Sequence, residues 1–295
     1  MAPLVWQYFG DVQNYVEPFA GSLAILLGRP TRPQIETVND ADCYLANFWR
    51  ALTIDPEGVA KATDWPVNEA DLLARHHWLI MQTDFREKMK SDPEYYDVKI
   101  AGWWVWGLCS WIGSGWCSAE SRQLPHLGDS GKGINRQLPH LGNAGQGINR
   151  QLPHLGDAGQ DLMGYFNQLA NRLRKVRVCC GDWSRILGPT ATFKHGITGV
   201  FLDPPYSSDR DECYSVDSFD VAHEVRDWAI ANGDNSLLRI ALCGYDGEHA
   251  MPDSWHKVAW KSHGGYGLQG NCKGRENSTK ERIWFSPHCN GMTLF

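Results

Sequence analysis

Residues 199–206 read GVFLDPPY, an apolar run that ends in an acid, two prolines and a tyrosine. Such a run is typical of a central parallel strand, because helices cover both faces of that strand. Proline has no N–H to donate to a sheet ladder, so we expect the strand to end at Asp203. Open α/β sheets bind ligands at the carboxyl ends of their strands, which predicts a functional site at Asp203. Taken alone, the segment also fits a strand followed by a polyproline turn with no chemical role.

Two earlier segments have the pattern of a nucleotide-binding α/β fold. Residues 15–22 read YVEPFAGS, which predicts a strand, a turn of small residues and a helix that begins at Leu23. The same pattern also fits the first turn of any α/β protein. Residues 35–38 predict a second strand, which Asn39 and Asp40 follow. An acid there either accepts hydrogen bonds from ribose hydroxyls or caps the next helix, and both roles stay open for Asp40.

The α/β pattern stops after residue 54 and returns at Asp161. From there it predicts a helix to Lys175 and a strand over 176–179. Asp182 follows, and it either caps a short helix over 183–187 or contributes to a ligand site at the strand end. The remaining predicted elements are a helix over 217–231, a buried strand over 237–243 and an antiparallel pair over 255–260 and 282–286.

Four motifs, in this order, resemble those of the Dam-type (D12 class) adenine DNA methyltransferases. They are EPFAG at 17–21, ND at 39–40, CGDW at 180–183 and DPPY at 203–206. The resemblance covers roughly residues 14–53 and 165–206. It implies a Rossmann-like S-adenosylmethionine-dependent methyltransferase fold, closed by an antiparallel hairpin. It also implies a site-specific enzyme of bacterial or phage type that acts on double-stranded DNA, with a cognate restriction enzyme as a possible partner.

The chain departs from the family's pattern at two places. Members usually begin with a Trp/Phe-x-Gly-Gly-Lys stretch, whereas residues 8–11 read YFGD and lack the second glycine and the lysine. We therefore expect the chain to start after that motif. Leu23 stands where many relatives carry a second glycine.

The resemblance also implies roles for single residues. Asp203 and the Pro204 carbonyl would accept hydrogen bonds from the adenine amine, Pro205 would help hold the turn rigid, and Tyr206 would stack on the base. Because that amine lies inside the duplex, the base would have to be flipped out. No metal is expected. The residues implied for the methyl donor are Glu17, Pro18, Phe19, Ala20, Gly21, Asn39, Asp40, Asp182 and Trp183.

Residues 55–160 interrupt the methyltransferase core, which we predict to comprise 1–54 and 161–295. We interpret them as a mainly helical target-recognition insert. One helix is predicted over 68–90 with Asn68 as its cap, and a second over 93–112. His76 and His77 are expected to be surface or core residues of the first helix rather than ligands.

A fourteen-residue repeat fills the end of this insert, with RQLPHLG at Arg122, Arg136 and Arg150. The unit is too short to bury a core of its own, so we expect a long loop, either functional or a neutral duplication. Residues 99–185 carry ten basic and five acidic side chains, a balance that suits phosphate contacts. The residues predicted to contact nucleic acid are Arg122, Lys132, Arg136, Arg150, Lys261, Lys273 and Arg275.

Composition limits the remaining classes. The chain has 295 residues, a net charge of −6 and nine cysteines without paired C-x-x-C spacing, which favours reduced thiols in the cytoplasm. The start carries no basic region of a signal peptide, and the apolar stretch over 103–116 is too short to span a bilayer. We expect a monomer or dimer that binds no membrane. Alternatives to the DNA adenine methyltransferase are a catalytically impaired nucleic-acid-binding protein and an RNA adenine or DNA cytosine amino-methyltransferase.

Overall fold

The computed structural model describes most of the chain outside the repeat-containing segment. The described residues are 1–20, 23–31, 34–41, 43–66, 68–110, 116–117, 162–205, 221–260 and 281–290. Over these residues the protein is a mixed α/β structure built on one seven-stranded, mostly parallel sheet. This architecture is compatible with the predicted Rossmann-like fold.

The sheet has the order β3-β2-β1-β4-β5-β7-β6. Strands β1 to β5 pair in parallel, and β7 runs antiparallel to β5 and to β6. The antiparallel pair predicted near the end of the chain is thus confirmed. The strands are β1 Asn14–Glu17, β2 Ile35–Asp40, β3 Arg177–Cys180, β4 Thr198–Leu202, β5 Leu238–Tyr245, β6 His256–Ala259 and β7 Glu281–Phe285.

Strand β4 is the central strand that the apolar run predicts. It lies between β1 and β5, and all five of its residues are buried. Its third residue, Val200, pairs with Val16 of β1 and with Ile240 of β5. The strand ends at Leu202, so Asp203 is the first residue beyond it.

The described part of the chain contains nine α-helices. Helix α3 contacts β2 and β3, and it also packs against α4, α7 and α8. The described helices of the predicted insert therefore share a hydrophobic core with the sheet-covering helices. The helices are α1 Ala2–Phe9, α2 Ala24–Leu27, α3 Cys43–Ile54, α4 Pro56–Thr63, α5 Glu69–Ile80, α6 Phe85–Ser91, α7 Val98–Ser110, α8 Leu162–Leu173 and α9 Val221–Asn232.

The single helix predicted over 68–90 is wrong, because α5 and α6 are separate helices. Asn68 does cap α5, and its side-chain oxygen accepts a hydrogen bond from the Asp71 N–H at 2.8 Å. The inward positions of α5 end with Leu79, and continuing their spacing would turn Thr83 and Arg86 inward instead of Phe85 and Met89. Breaking the helix restores the phase, so that Phe85 and Met89 are both buried.

Helix α1 is an element that the sequence analysis did not predict. The Trp6 indole N–H donates to the Ile25 carbonyl at 2.7 Å, and the Tyr8 ring stacks on Phe285 with centroids 3.9 Å apart. Phe9 packs so closely on β4 that a Cβ at Gly199 would lie 2.8 Å from its ring. The glycine in the central strand is therefore required by the approach of α1.

A buried charge network ties β2 to helix α8 and to the segment after α2. The Glu36 carboxylate accepts from Arg172 of α8 at 2.7 and 2.9 Å and from Arg29 at 3.3 Å. The side chains of Arg29 and Glu36 are 1% and 2% exposed. Breaking such a pair is costly because it leaves an uncompensated charge away from water.

We expect Glu36→Gln to lower the free energy of unfolding by about 3 kcal/mol, because the Arg29 guanidinium would keep its charge without a carboxylate. Urea unfolding followed by circular dichroism measures this loss. Glu57→Gln is the matched control, because Glu57 pairs with Lys61 on the exposed surface of α4 and its loss should leave the unfolding midpoint unchanged. Equal midpoints for the two variants would show that the network does not hold β2 in place.

Candidate active site

The carboxyl ends of β1 to β4 meet at one edge of the sheet. The parallel register sets Glu17 beside Val38 and Asp40 beside Cys180, so the loops after these strands emerge together. Because β4 pairs with β1, Asp203 emerges at the same edge. The structure thus brings together the segments that the motifs single out. Of Asp40 only the backbone is described, as the last residue of β2.

Asn39 links the loops on either side of β2. Its side-chain amide donates to the carbonyls of Pro18 and Gly181, both at 3.1 Å, and its backbone carbonyl accepts from the Ala20 N–H at 3.0 Å. Its side-chain oxygen is buried and has no hydrogen-bond partner. One amide therefore fixes the loop after β1 against the loop after β3 and leaves an acceptor at the site.

An aromatic pair spans the same two loops. Phe19 and Trp183 stack with ring centroids 6.0 Å apart and an interplanar angle of 30°. Trp183 begins a short 3₁₀-helix over Trp183–Ile186, and the Asp182 carboxylate caps it by accepting from the Ser184 N–H at 3.0 Å. The capping role predicted for Asp182 is confirmed. The exposed Asp182 carboxylate and the two rings thus form one side of the candidate site at this sheet edge.

Glu17 is a buried acid at the end of β1. Its carboxylate accepts a hydrogen bond from the Tyr15 hydroxyl at 2.8 Å. Burial raises the pKa of Glu17 to about 8, and the negative charge of Asp203 adds to the rise, while the Tyr15 hydrogen bond opposes it. Glu17 is therefore largely protonated at neutral pH.

Asp203 lies in the middle of this arrangement, where it acts on side chains of the neighbouring strands. Besides raising the pKa of Glu17 on β1, its charge adds to the rise that burial causes in the pKa of the Cys243 thiol on β5. Asp203 is half-buried, Pro204 is buried and Pro205 is half-buried. The turn after β4 thus carries a partly accessible carboxylate beside a protonated acid.

The turn after β1 has an unusual backbone at Leu23. This residue is fully buried and has φ 56° and ψ 25°, a left-handed conformation that costs a non-glycine residue roughly 1–2 kcal/mol. Its N–H donates to the Ala20 carbonyl at 2.8 Å, which closes the turn. The backbone at this position favours glycine, and here burial of the leucine side chain offsets the strain.

Some predicted site residues fall outside the described part of the chain. They are Gly21, Tyr206, Arg122, Lys132, Arg136, Arg150, Lys261, Lys273 and Arg275. Conversely, Tyr15 was not predicted as a partner of Glu17. Its position signals the contact, because residues two apart on a strand point to the same face.

No family model matches the chain, and no curated protein is significantly similar to it. The resemblance to the Dam-type enzymes therefore rests on the four sequence motifs. In the part of the chain that the structure describes, no helix is both long and apolar enough to cross a membrane.

The pKa of Glu17 makes a prediction about stability. Because the folded protein holds this proton up to about pH 8 instead of about 4.5, the contribution of Glu17 to stability falls as the pH rises through that window. Between these two values we expect the wild type to lose stability faster than Glu17→Gln, by roughly 1 kcal/mol per pH unit.

Urea unfolding at a series of pH values gives the two slopes. Glu69→Gln, an exposed carboxyl at the start of α5, serves as the control and should follow the wild-type slope. Parallel curves for the wild type and Glu17→Gln would mean that Glu17 is ionised in the folded protein at neutral pH.

Proposed function

We propose that this protein transfers a methyl group from S-adenosylmethionine to the exocyclic amine of adenine in double-stranded DNA. The observation that carries the proposal is the Asp203-Pro204-Pro205 turn at the carboxyl end of the central strand β4. The other three motifs of the resemblance end at the same sheet edge. The antiparallel β6–β7 pair, which the resemblance also implies, adds support.

The adenine amine is a poor nucleophile because its lone pair is delocalised into the ring. Two acceptors aimed at the amine hydrogens would favour a tetrahedral nitrogen and free that lone pair for attack. In this proposal the acceptors are the Asp203 carboxylate and the Pro204 carbonyl. Prolines fix φ near −65°, so this pair of acceptors would already be oriented before the base arrives.

Glu17 supports this assignment through its charge state. Two ionised carboxylates in one half-buried site repel each other. Since Glu17 is largely protonated at neutral pH, it adds little negative charge next to Asp203. The Asp203 carboxylate is then available to accept a hydrogen bond from the adenine amine.

The residues that would hold the methyl donor are Asn39, Asp182, Phe19 and Trp183. They fit an adenosine group, because the buried Asn39 oxygen has no partner, Asp182 is an exposed acceptor, and the two aromatic rings offer a flat apolar wall. S-adenosylmethionine, when bound, supplies a methyl group activated by a positively charged sulfur. The protein's contribution is then positioning and electrostatic stabilisation.

The adenine must leave the duplex to reach this edge. Tyr206 is proposed to stack on it, and the basic residues of the repeat and of the 261–280 loop to contact the DNA backbone. The target sequence would be read by the insert. A cognate restriction enzyme remains a proposed partner.

We expect Asp203→Ala to lower the rate of methyl transfer by about 100-fold or more, the usual effect of removing a preorganised electrostatic contact. Labelled donor and unmethylated DNA, followed by digestion to nucleosides, give both the rate and the modified base. Asp253→Ala is the matched control, because Asp253 is exposed on the loop before β6 and its loss should leave the rate unchanged.

An Asp203→Ala protein that transfers methyl groups at the wild-type rate would refute the role of this carboxylate. A labelled methyl group on cytosine would show that the substrate is cytosine instead of adenine. Transfer to RNA alone would show that the substrate is RNA instead of DNA. DNA binding without any transfer by the wild type would favour the nucleic-acid-binding alternative.

A further inference from the structure

A second feature of the molecule is a basic cavity of about 450 Å³ on the flank of edge strand β3. Its walls come from α3, α6, the end of α8, β3 and the 3₁₀-helix over Trp183–Ile186. Cys180, the last residue of β3, lines the cavity, and Gly181 follows it into the loop held by Asn39. The cavity therefore lies next to the candidate active site along the chain but is built from different side chains.

The charge of this cavity is entirely positive. Four of the described lining residues are basic and none is acidic; the basic ones are Arg50, Lys90, Arg174 and Arg185. None of the four forms an ion pair with a described acidic residue. Like charges grouped in this way repel each other, so an anion would stabilise the arrangement.

The hydrogen bonds of these cations leave their charge uncompensated. Arg50 donates to the carbonyls of Asp92 at 3.0 Å and Tyr95 at 2.5 Å, which holds the segment between α6 and α7. Arg185 donates to the Cys180 carbonyl at 3.3 Å. Lys90 and Arg174 are exposed at the rim, where their side chains are accessible to a ligand.

A second feature of the cavity wall is a buried donor without a partner. Trp49 lines the cavity from α3 and is 1% exposed, and its indole N–H is buried without a hydrogen-bond partner. Leaving a buried donor unpaired costs about 1–3 kcal/mol, so such groups usually have a partner. A group that accepts several hydrogen bonds and carries negative charge would satisfy both the cations and this donor.

We propose that the cavity binds a phosphate group, with Lys90, Arg174 and Arg185 supplying charge and Trp49 supplying a neutral donor. Phosphate suits the cavity because its oxygens accept charge-assisted hydrogen bonds from several directions at once. The phosphate is either a free anion or part of a nucleic-acid backbone. Phosphate binding here depends on the charges of the cavity and does not require methyl transfer.

Two double variants test the proposal, each of which removes two positive charges. Lys90→Gln with Arg174→Gln changes the cavity, whereas Lys175→Gln with Arg177→Gln changes neighbouring exposed residues that do not line it. Trp49→Phe removes the indole N–H and keeps an aromatic ring. Calorimetry with inorganic phosphate, against chloride at equal ionic strength, measures the free anion. Fluorescence anisotropy with a short labelled duplex measures the backbone.

We expect the cavity double variant to bind its phosphate ligand at least about tenfold more weakly, and the control double variant to change by less than about twofold. Trp49→Phe should also bind more weakly than the wild type. If the ligand is DNA, the slope of log affinity against log salt should fall by about 1–2 in the cavity variant. A loss with inorganic phosphate alone would identify a small phosphate ligand, and a loss with the duplex would identify the backbone.

Equal losses in the two double variants would overturn the proposal, because they would reflect general charge instead of a site. Full binding by Trp49→Phe would also overturn it, as would a wild type that binds neither probe. Each of these results can be told apart from a failure of methyl transfer, because no donor is present in either assay. Thermal unfolding without phosphate checks that all the variants fold, and we expect the cavity variant to be at least as stable as the wild type because its charges repel less.

Discussion

The rest of the site depends on the position of β4, a strand that is paired on both edges and buried on both faces. The hydrogen-bond ladder of the sheet cannot continue through two prolines, so the chain must turn at Asp203. The turn sets a carboxylate at the edge of a low-dielectric core, beside the buried Glu17 of β1. Because burial suppresses the charge of Glu17, this acid adds little negative charge beside Asp203.

The loops after β1 and β3, which form the other part of this edge, are held in place by β2. The Arg29–Glu36–Arg172 network fixes this strand against the segment after α2 and against α8. From β2 the Asn39 side chain then holds the loops after β1 and β3, which carry Phe19 and Trp183. A charge network in the interior and one amide at the edge thus keep the proposed donor-binding wall in place.

The sequence was sufficient for the elements in which the local pattern and the tertiary environment agree. These include β4, the antiparallel β6–β7 pair and the Asn68 cap. It failed at the break between α5 and α6, where Thr83 and Asp84 are weak helix formers and the burial of Phe85 requires a change of phase. The pairing of Glu36 with Arg172, 136 residues apart, depends on the packing of α8 and leaves no local signal. Helix α1 was missed for the same reason, since its role is to cover β4.

We propose that the edge formed by β1 to β4 binds an adenosyl methyl donor. Isothermal titration calorimetry with S-adenosylmethionine tests this claim without any assumption about the methyl acceptor. We predict saturable binding at one site per chain. We also predict a loss of at least about tenfold in affinity when Asn39→Ala frees the two loops, because the two hydrogen bonds that hold them disappear. Absence of binding heat in the wild type, or an affinity of Asn39→Ala equal to that of the wild type, would contradict donor binding at this edge.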